Sequence, residues 1–232
     1  MKAKPGIKGG EDVGETRCSE ISLTLQQTIS SLYAVTPDLT DTEELLQRVR
    51  LALQGGARVL QYRNKSADTA LKLRQAQALR ALTEEFGATY IVNDDARLAA
   101  QVDADGVHLG GEDGGVSAAR ALLGKQKIIG VSCYNLASLA QEAVHQGADY
   151  VAFGAFFSSS VKPGAVKADV ELLRTARDVL SVPIVAIGGI TQLNGSALID
   201  AGADALAVIT ALFEAPDIEL AAHEFSTLFS RT

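Results

Sequence analysis

Eight short apolar segments alternate with longer amphipathic segments along this chain, and this alternation restricts the fold more than any other feature. The short segments are rich in β-branched residues, whereas apolar residues in the longer ones recur at helical spacing. This is the pattern of βα units on a parallel sheet. The predicted strands cover residues 32–36, 58–62, 90–93, 106–109, 127–131, 150–153, 184–187 and 205–208. The predicted helices cover residues 42–54, 67–86, 95–102, 116–123, 136–146, 169–180, 193–201 and 217–230.

A similar short sequence motif comes before several of the predicted strands. It reads Gly-Gly-Ala at 55–57, Asp-Ala-Asp-Gly at 103–106, and Gly-Ala-Asp at both 147–149 and 202–204. A glycine close to a helix end supplies the left-handed residue with which many helices stop. Eight such regular units predict a single (β/α)8 TIM barrel, with an open doubly wound sheet as the alternative.

The domain organisation and composition narrow the classes of protein. Residues 1–28 show no sustained apolar period and are expected to form a flexible extension before a barrel domain at 29–232. The chain has 21 Lys and Arg against 28 Asp and Glu, a net charge of −7, and no basic tract. Nucleic acid and anionic membranes are therefore not expected partners. The absence of a signal-peptide pattern predicts a cytoplasmic protein, and two cysteines predict neither a disulfide framework nor a zinc site.

Polar residues follow the second predicted strand, where a TIM barrel carries its functional groups. Strand alternation places Gln61, Arg63 and Lys65 on one side and Tyr62 on the other. Two cations and an amide at a barrel mouth suit an anionic ligand such as a diphosphate.

Carboxylates follow the third and fourth predicted strands. Asp94 and Asp113 come from neighbouring loops and together suit Mg²⁺. Asn93 is a hydrogen-bonding group for a ligand, and Asp95 stands where it would cap the next helix. The lone His108 is interpreted as a structural residue.

Hydroxyl groups and glycines mark the remaining strand ends. Ser132 follows the fifth strand and offers a donor to a phosphate or a ring nitrogen, and Asn135 is expected to cap the next helix. The long loop after the sixth strand carries Lys162, a cation able to close over an anionic substrate. Glycines after the seventh strand and backbone N–H groups after the eighth form the usual phosphate pocket of such barrels. The residues of this predicted monophosphate pocket are Gly188, Gly189, Ile209 and Thr210.

The sequence thus predicts two anion sites and no activated nucleophile. No Ser-His-Asp set stands out in the sequence. Chemistry in which diphosphate leaves with the help of a metal would need no protein nucleophile.

These residues together resemble the thiamine phosphate synthase family over about residues 32 to 212. The resemblance rests on several stretches in order, each modest alone and specific in combination. They are Tyr33-Ala-Val-Thr-Pro-Asp38, Gln61-Tyr-Arg-Asn-Lys65, Ile91-Val-Asn-Asp-Asp95, Gly106-Val-His-Leu-Gly110 with Asp113, Gly130-Val-Ser132, the Lys162 loop, and Ala186-Ile-Gly-Gly-Ile190.

The resemblance implies a Mg²⁺-assisted transferase that joins hydroxymethylpyrimidine diphosphate to hydroxyethylthiazole phosphate, or its carboxylated form, giving thiamine phosphate and diphosphate. By analogy the diphosphate departs first. The implied catalytic residues are Arg63, Lys65, Ser132 and Lys162, and the implied metal ligands are Asp94 and Asp113. The implied substrate-binding residues are Gln61, Tyr62, Arg63, Asn64, Lys65, Asn93, Ser132, Ser159, Ser160, Val161, Lys162, Gly188, Gly189, Ile209 and Thr210. The resemblance leaves open whether the chain forms a homo-oligomer.

One position departs from the family pattern. Where the family carries a Thr-Pro-Thr-Lys type of sequence, this chain has residues 159–162 with Val161 at the second Thr position. Val161 cannot donate a hydrogen bond through its side chain, which predicts weaker binding of the thiazole.

Two alternative functions stay open. One is a thiazole tautomerase, which uses a histidine about where Tyr134 stands, and the other is a non-catalytic binder of thiamine precursors.

Overall fold

The computed structural model describes residues 27–110, 115–158 and 166–231 and shows a closed barrel of eight parallel strands. Neighbouring strands pair in chain order, and the first strand pairs with the last. The predicted (β/α)8 TIM barrel is therefore confirmed, and the open-sheet alternative is excluded. The strands are β1 (Ser31–Val35), β2 (Val59–Tyr62), β3 (Thr89–Asn93), β4 (Gly106–Leu109), β5 (Ile128–Tyr134), β6 (Tyr150–Phe153), β7 (Ile184–Ile187) and β8 (Ala205–Val208).

Helices cover the outside of the barrel and agree closely with the amphipathic segments. They are α1 (Thr42–Gln54), α2 (Thr69–Phe86), α3 (Ala96–Gln101), α4 (Val116–Leu123), α5 (Ala137–His145), α6 (Glu171–Val179), α7 (Gly195–Asp200), α8 (Thr210–Phe213) and α9 (Ile218–Thr227), followed by a 3-10 turn, Leu228–Arg231. The sequence did not predict α8, because four residues make little more than one turn and carry no apolar period.

The fifth strand is longer than predicted. It was expected to end at residue 131 but continues to Tyr134, and its pairing with β6 shifts register between Ser132 and Tyr134. A bulge adds a residue without ending the ladder, so the polar run at 132–134 remains part of the strand.

Buried apolar side chains form two separate layers. One fills the barrel interior and includes Tyr33, Val59, Ile91, Tyr150 and Val185. The larger layer lies between the strands and the helices. Because successive side chains of a strand point to opposite faces, each strand contributes to both layers.

The short sequence motif before several strands forms the same set of contacts, here called a clamp, at the N-terminal end of the barrel. Asp149 accepts a hydrogen bond from the Ile129 backbone N–H at 2.7 Å, donates its own N–H to the Ile129 carbonyl at 2.7 Å, and pairs with Arg120 of α4. The same arrangement recurs twice with other residues. The two further sets are Asp105 with Tyr90 and Arg80, and Asp204 with Ile184 and Arg177. Each clamp ties one helix to the starts of two strands.

In the part of the chain that the structure describes, no helix is both long enough and apolar enough to span a bilayer.

Candidate active site

A carboxylate that follows β1 holds the loop after β2, which carries Arg63 and Lys65. Asp38 Oδ1 accepts hydrogen bonds from Arg63 Nη1 and from the Lys65 backbone N–H, both at 3.0 Å. The Arg63 side chain is only 14% exposed, so its guanidinium is held in place. Lys65 is exposed. The structure thus brings the two predicted cations to one loop at the mouth.

Thr36 continues the β1–β2 pairing beyond the strand ends. Its hydroxyl donates to the Arg63 carbonyl at 2.8 Å and accepts from the Arg63 N–H at 2.8 Å. Thr36 and Asp38 therefore orient Arg63, a role that the sequence reasoning missed. The available signal was their position directly after the first strand, in the Tyr33–Asp38 stretch.

Two residues predicted to bind substrate do not bring their side chains to the mouth. The Tyr62 hydroxyl donates to Gln75 Oε1 at 2.9 Å, and Asn64 Nδ2 donates to the Leu39 carbonyl at 2.7 Å. Both residues are buried, and Gln75 lies on α2 in the outer layer. Alternation along β2 explains the difference from Gln61, which faces the barrel interior. Burial and the charge of Asp38 raise the pKa of Tyr62, which stays a neutral hydrogen-bond donor.

The loop after β3 carries two carboxylates, and the second of them caps a helix. Asp94 has a left-handed backbone (φ 65°), and its N–H donates to the His108 carbonyl at 2.8 Å, which links the ends of β3 and β4. Asp95 caps α3 by accepting from the N–H groups of Arg97 and Leu98, as predicted. Asn93 is half-buried at the end of β3.

Asp94 offers the kind of ligand that Mg²⁺ prefers. Mg²⁺ is bound through one or two carboxylates together with substrate phosphates and water, rather than by a complete protein cage. Asp113, the second predicted ligand, lies outside the described residues. Among residues 27–110, 115–158 and 166–231, no three His, Cys, Asp or Glu side chains form a metal-binding group. An oxygen ligand on the loop after β3 nevertheless fits a magnesium shared with a diphosphate.

A chain of buried side chains crosses the barrel interior just below the mouth. Gln61 Nε2 donates to the Tyr33 hydroxyl at 2.9 Å, and the Tyr33 and Tyr150 hydroxyl oxygens lie 2.8 Å apart. Tyr150 contacts His108 Nδ1 at 2.9 Å, and His108 Nε2 contacts Ser132 Oγ at 2.9 Å. The structure thus connects Gln61 and Ser132, two predicted substrate residues, through three residues that the sequence reasoning did not place in the site.

Ser132 and Asn135, two residues with predicted roles, lie at the end of β5 and just after it. Ser132 is half-buried, whereas Tyr134 is exposed with a left-handed backbone (φ 53°). The prediction that Asn135 caps the next helix is wrong. Leu136 is the N-cap residue of α5, and Asn135 Nδ2 instead donates to the Lys167 carbonyl, because the longer strand moves the helix start. Burial raises the pKa of the Cys133 thiol to about 12.

A pocket of about 230 Å³ opens between the ends of β7 and β8, where the sequence predicts a monophosphate site. Its walls combine backbone, small side chains and three hydroxyl groups. The lining residues are Ser158, Ile187, Gly188, Gly189, Ile190, Thr191, Ala207, Val208, Ile209, Thr210 and Ala211. All four residues predicted for that site line it. Residues 159–162 of the preceding loop, Ser159, Ser160, Val161 and Lys162, lie outside the described residues.

The glycines of this pocket are required by crowding as well as by backbone conformation. Gly188 has φ 103°, and a Cβ there would lie 2.3 Å from the Ala155 Cβ. A Cβ on Gly189 would lie 2.5 Å from the Ser158 carbonyl oxygen. The described start of the loop after β6, Ala155 to Ser158, therefore touches the loop after β7 at the edge of the pocket.

Comparison with known proteins gives consistent results. A family model described as thiamine monophosphate synthase matches residues 32–212. The chain is 55% identical over 202 residues to the thiamine-phosphate synthase of Methylobacillus flagellatus, covering 87% of this chain and 96% of that protein. It is 52% identical over 199 residues to the thiamine-phosphate synthase of Thiobacillus denitrificans, covering 86% and 94%. Among solved structures, thiamine phosphate pyrophosphorylase from Pyrococcus furiosus superposes with a TM-score of 0.79 at 34% identity, covering 90% of this chain and 98% of that one.

Proposed function

The chain belongs to the thiamine monophosphate synthase family of transferases, and on that basis we propose that it joins hydroxymethylpyrimidine diphosphate to hydroxyethylthiazole phosphate. The products are thiamine phosphate and diphosphate, and the carboxylated thiazole phosphate is included among the substrates. The observation that carries the proposal is that the family match, at residues 32–212, includes the C-terminal end of every strand. The proposal includes the cytoplasm as the place of reaction, since phosphorylated substrates do not cross the apolar bilayer core unaided.

The diphosphate is proposed to bind at the ends of β2, β3 and β5. Arg63 offers a guanidinium that Asp38 already orients, and a planar guanidinium can donate two parallel hydrogen bonds to phosphate oxygens. Lys65 adds an exposed cation on the same loop, and Lys162 a third from the loop after β6. Asn93, Gln61 and Ser132 supply neutral hydrogen-bonding groups. Tyr62 and Asn64 are proposed to support the loop after β2, because their side chains contact the outer layer.

Mg²⁺ is proposed to be held by Asp94 and Asp113, together with oxygens of the diphosphate. The ion would supply positive charge to the departing diphosphate. Both proposed ligands follow neighbouring strands, and both offer the oxygen ligands that Mg²⁺ prefers.

The thiazole phosphate is proposed to bind in the pocket between β7 and β8. A phosphate suits a backbone site in this position of a TIM barrel, and Gly188 and Gly189 let the chain approach it closely. Val161 replaces a hydroxyl in the proposed binding loop. Ser158 and Thr191 line the pocket and offer hydroxyls of their own.

The proposed reaction breaks the bond between the pyrimidine methylene carbon and the diphosphate oxygen, and the electron pair leaves with the diphosphate. The thiazole nitrogen then donates its electron pair to the pyrimidine-methyl cation, which forms the new carbon–nitrogen bond. Arg63, Lys65 and Lys162 stabilise the charge that grows on the leaving group. Two binding regions at one mouth hold the reacting atoms in line, which replaces a bimolecular encounter by a positioned one.

The test is a direct assay for thiamine phosphate. Purified protein is incubated with both substrates and Mg²⁺, and the product is oxidised to its fluorescent thiochrome. We expect product that disappears when EDTA removes the metal. Binding of either substrate without any product would refute the proposed synthase activity, and aromatisation of the thiazole phosphate in the absence of the pyrimidine would instead establish the tautomerase.

A matched pair of variants tests the metal assignment. Asp94→Asn removes a proposed ligand, whereas Asp95→Asn makes the same change of charge one residue later and keeps a good helix cap. We expect turnover at least about tenfold lower in Asp94→Asn and unchanged turnover in Asp95→Asn. Equal rates in both variants at limiting Mg²⁺ would contradict the assignment.

A further inference from the structure

The side chains that cross the barrel interior form one directed chain of hydrogen bonds. Its members come from β1, β2, β4, β5 and β6. Tyr33 is 1% exposed and Tyr150 0% exposed, so water does not compete for these hydroxyls. Burial raises the pKa of both tyrosines above the ordinary value, and both remain neutral donors.

The direction of the chain follows from the number of protons that each group carries. An amide nitrogen can only donate, so the Tyr33 oxygen accepts from Gln61. The Tyr33 proton then needs an acceptor in the buried interior, and among the described contacts the Tyr150 oxygen at 2.8 Å is that acceptor. The Tyr150 proton is then directed to His108 Nδ1. In a neutral imidazole whose Nδ1 accepts, the proton lies on Nε2.

That tautomer decides what Ser132 can do. His108 Nε2 and Ser132 Oγ lie 2.9 Å apart. With the proton on Nε2, His108 donates to Ser132 Oγ, and the hydroxyl proton of Ser132 then points away from His108. A histidine that donates to a serine cannot remove the proton of that serine, and the pair is therefore not an activated nucleophile. Ser132 is instead left as a donor for a ligand at the mouth, while the amide of Gln61 keeps its oxygen as an acceptor.

The absence of a side chain at Gly130 makes room for the ring of Tyr150 in the barrel interior. A Cβ on Gly130 would lie 1.9 Å from Tyr150 Cζ, so Tyr150 occupies the space that any other residue at 130 would fill. The His108 and Tyr150 rings also stack, with centroids 5.5 Å apart and planes 29° apart. The ring of Tyr150 is thus fixed by packing on two sides.

We infer that Tyr33, Tyr150 and His108 are positioning residues that hold Ser132 as a hydrogen-bond donor and Gln61 as an acceptor toward the substrate. The inference rests on the proposed function, since it takes Ser132 and Gln61 to face the pyrimidine diphosphate. None of the three touches the reacting atoms. They act through the hydrogen-bonding groups at the two ends of the chain.

The first test measures the tautomer of His108 in the protein without substrates, by ¹⁵N NMR of the imidazole. The His108→Gln spectrum identifies the signals, because the chain has two other histidines. We expect the neutral tautomer with its proton on Nε2, and a changed tautomer population in Tyr150→Phe. A proton on Nδ1 in the unaltered protein, or an identical spectrum in Tyr150→Phe, would overturn the inference whatever the activity of the protein.

The second test is a double-mutant cycle on kcat. We expect Tyr150→Phe to lower kcat about tenfold, the upper range for loss of the hydrogen bond to His108. The KM for thiazole phosphate should stay unchanged, since that pocket lies at β7 and β8. In a Ser132→Ala background the same change should cost less, because only the part of the effect that acts through Gln61 remains. His108→Gln keeps a donor toward Ser132 and should retain more activity than His108→Ala.

Tyr90→Phe is the matched control. Tyr90 is also fully buried, but its hydroxyl donates to the Ala76 carbonyl at 3.1 Å in the outer layer. We expect kcat within about twofold of the unaltered protein. Equal losses in Tyr90→Phe and Tyr150→Phe, or an undiminished loss in the Ser132→Ala background, would reduce Tyr150 to an ordinary core residue. Complete inactivity of the unaltered protein would refute the proposed function, and the NMR result would still decide the tautomer.

Discussion

Adding a single methyl group at Gly130 should destabilise the whole barrel. A Cβ there would lie 1.9 Å from Tyr150 Cζ and 2.2 Å from Cε1, whereas non-bonded carbons rest about 3.5–4.0 Å apart. The ring of Tyr150 would have to retreat by about 1.5 Å or more, and close packing around it leaves no free space for that movement.

The size of the effect follows from what the ring would lose. Overpacking a well-packed core costs about 1–3 kcal/mol. Movement of this size also breaks the hydrogen bonds from Tyr150 to Tyr33 and to His108, each worth about 0.5–1.5 kcal/mol. We therefore expect Gly130→Ala to lower the free energy of unfolding by about 2–6 kcal/mol, a large part of the total stability of a typical domain.

Urea unfolding followed by circular dichroism measures the change, with two companion variants. Gly87→Ala adds a methyl into open space at φ 61°, and it should cost only the strain of a left-handed alanine, about 1–2 kcal/mol. Gly130→Ala combined with Tyr150→Leu removes the colliding ring, so the double variant should be no less stable than Tyr150→Leu alone. A Gly130→Ala protein within about 1 kcal/mol of the parent, or additive losses in the double variant, would refute the reasoning.

Three further predictions concern the site, the clamp and the buried thiol. Lys162→Ala should lower turnover at least about tenfold in the thiochrome assay, because the cation proposed to stabilise the leaving group is lost. An unchanged rate would remove Lys162 from the mechanism. Asp149→Ala breaks a clamp and should cost about 2 kcal/mol of unfolding free energy, against no more than about 0.5 kcal/mol for the exposed Asp178→Ala; equal values would show that the clamp contributes nothing. Because the pKa of Cys133 is about 12 when folded and ordinary when unfolded, folding stability from this group should fall as pH rises above about 8.5. In a Cys18→Ser protein at pH 8, alkylation by iodoacetamide should be at least about a hundredfold slower when folded than in urea, and equal rates would contradict the buried thiol.

The sequence predicted the elements well because their signals are local. Apolar spacing reports which face of a segment is buried, and glycine after a helix reports where the helix stops. All eight strands and the eight longer helices therefore lie close to their predicted positions. The exceptions are also local in origin: a bulge near Ser132 extended β5, and the four-residue helix at Thr210–Phe213 was too short to show a period.

The sequence predicted the candidate site only at residues whose type indicates what they can bind. Cations, carboxylates and glycines at strand ends indicated an anion site, and the structure brings Arg63 to the mouth and lines the second pocket with Gly188 and Gly189. Asp38 was missed, because its position directly after the first strand does not by itself distinguish it from an ordinary loop carboxylate.

What the sequence by itself determined is the number and order of the βα units, and hence which loops meet at one end of the barrel. Tertiary structure alone decided which side chains share the interior. Tyr33 and Tyr150 are 117 residues apart in the chain, and each is an ordinary apolar residue in its own strand. Only closure of the barrel brings their hydroxyls to hydrogen-bonding distance, because strand pairing around the ring fixes the height of every inward side chain. The inferred tautomer of His108 and the proposed donor role of Ser132 both depend on that contact.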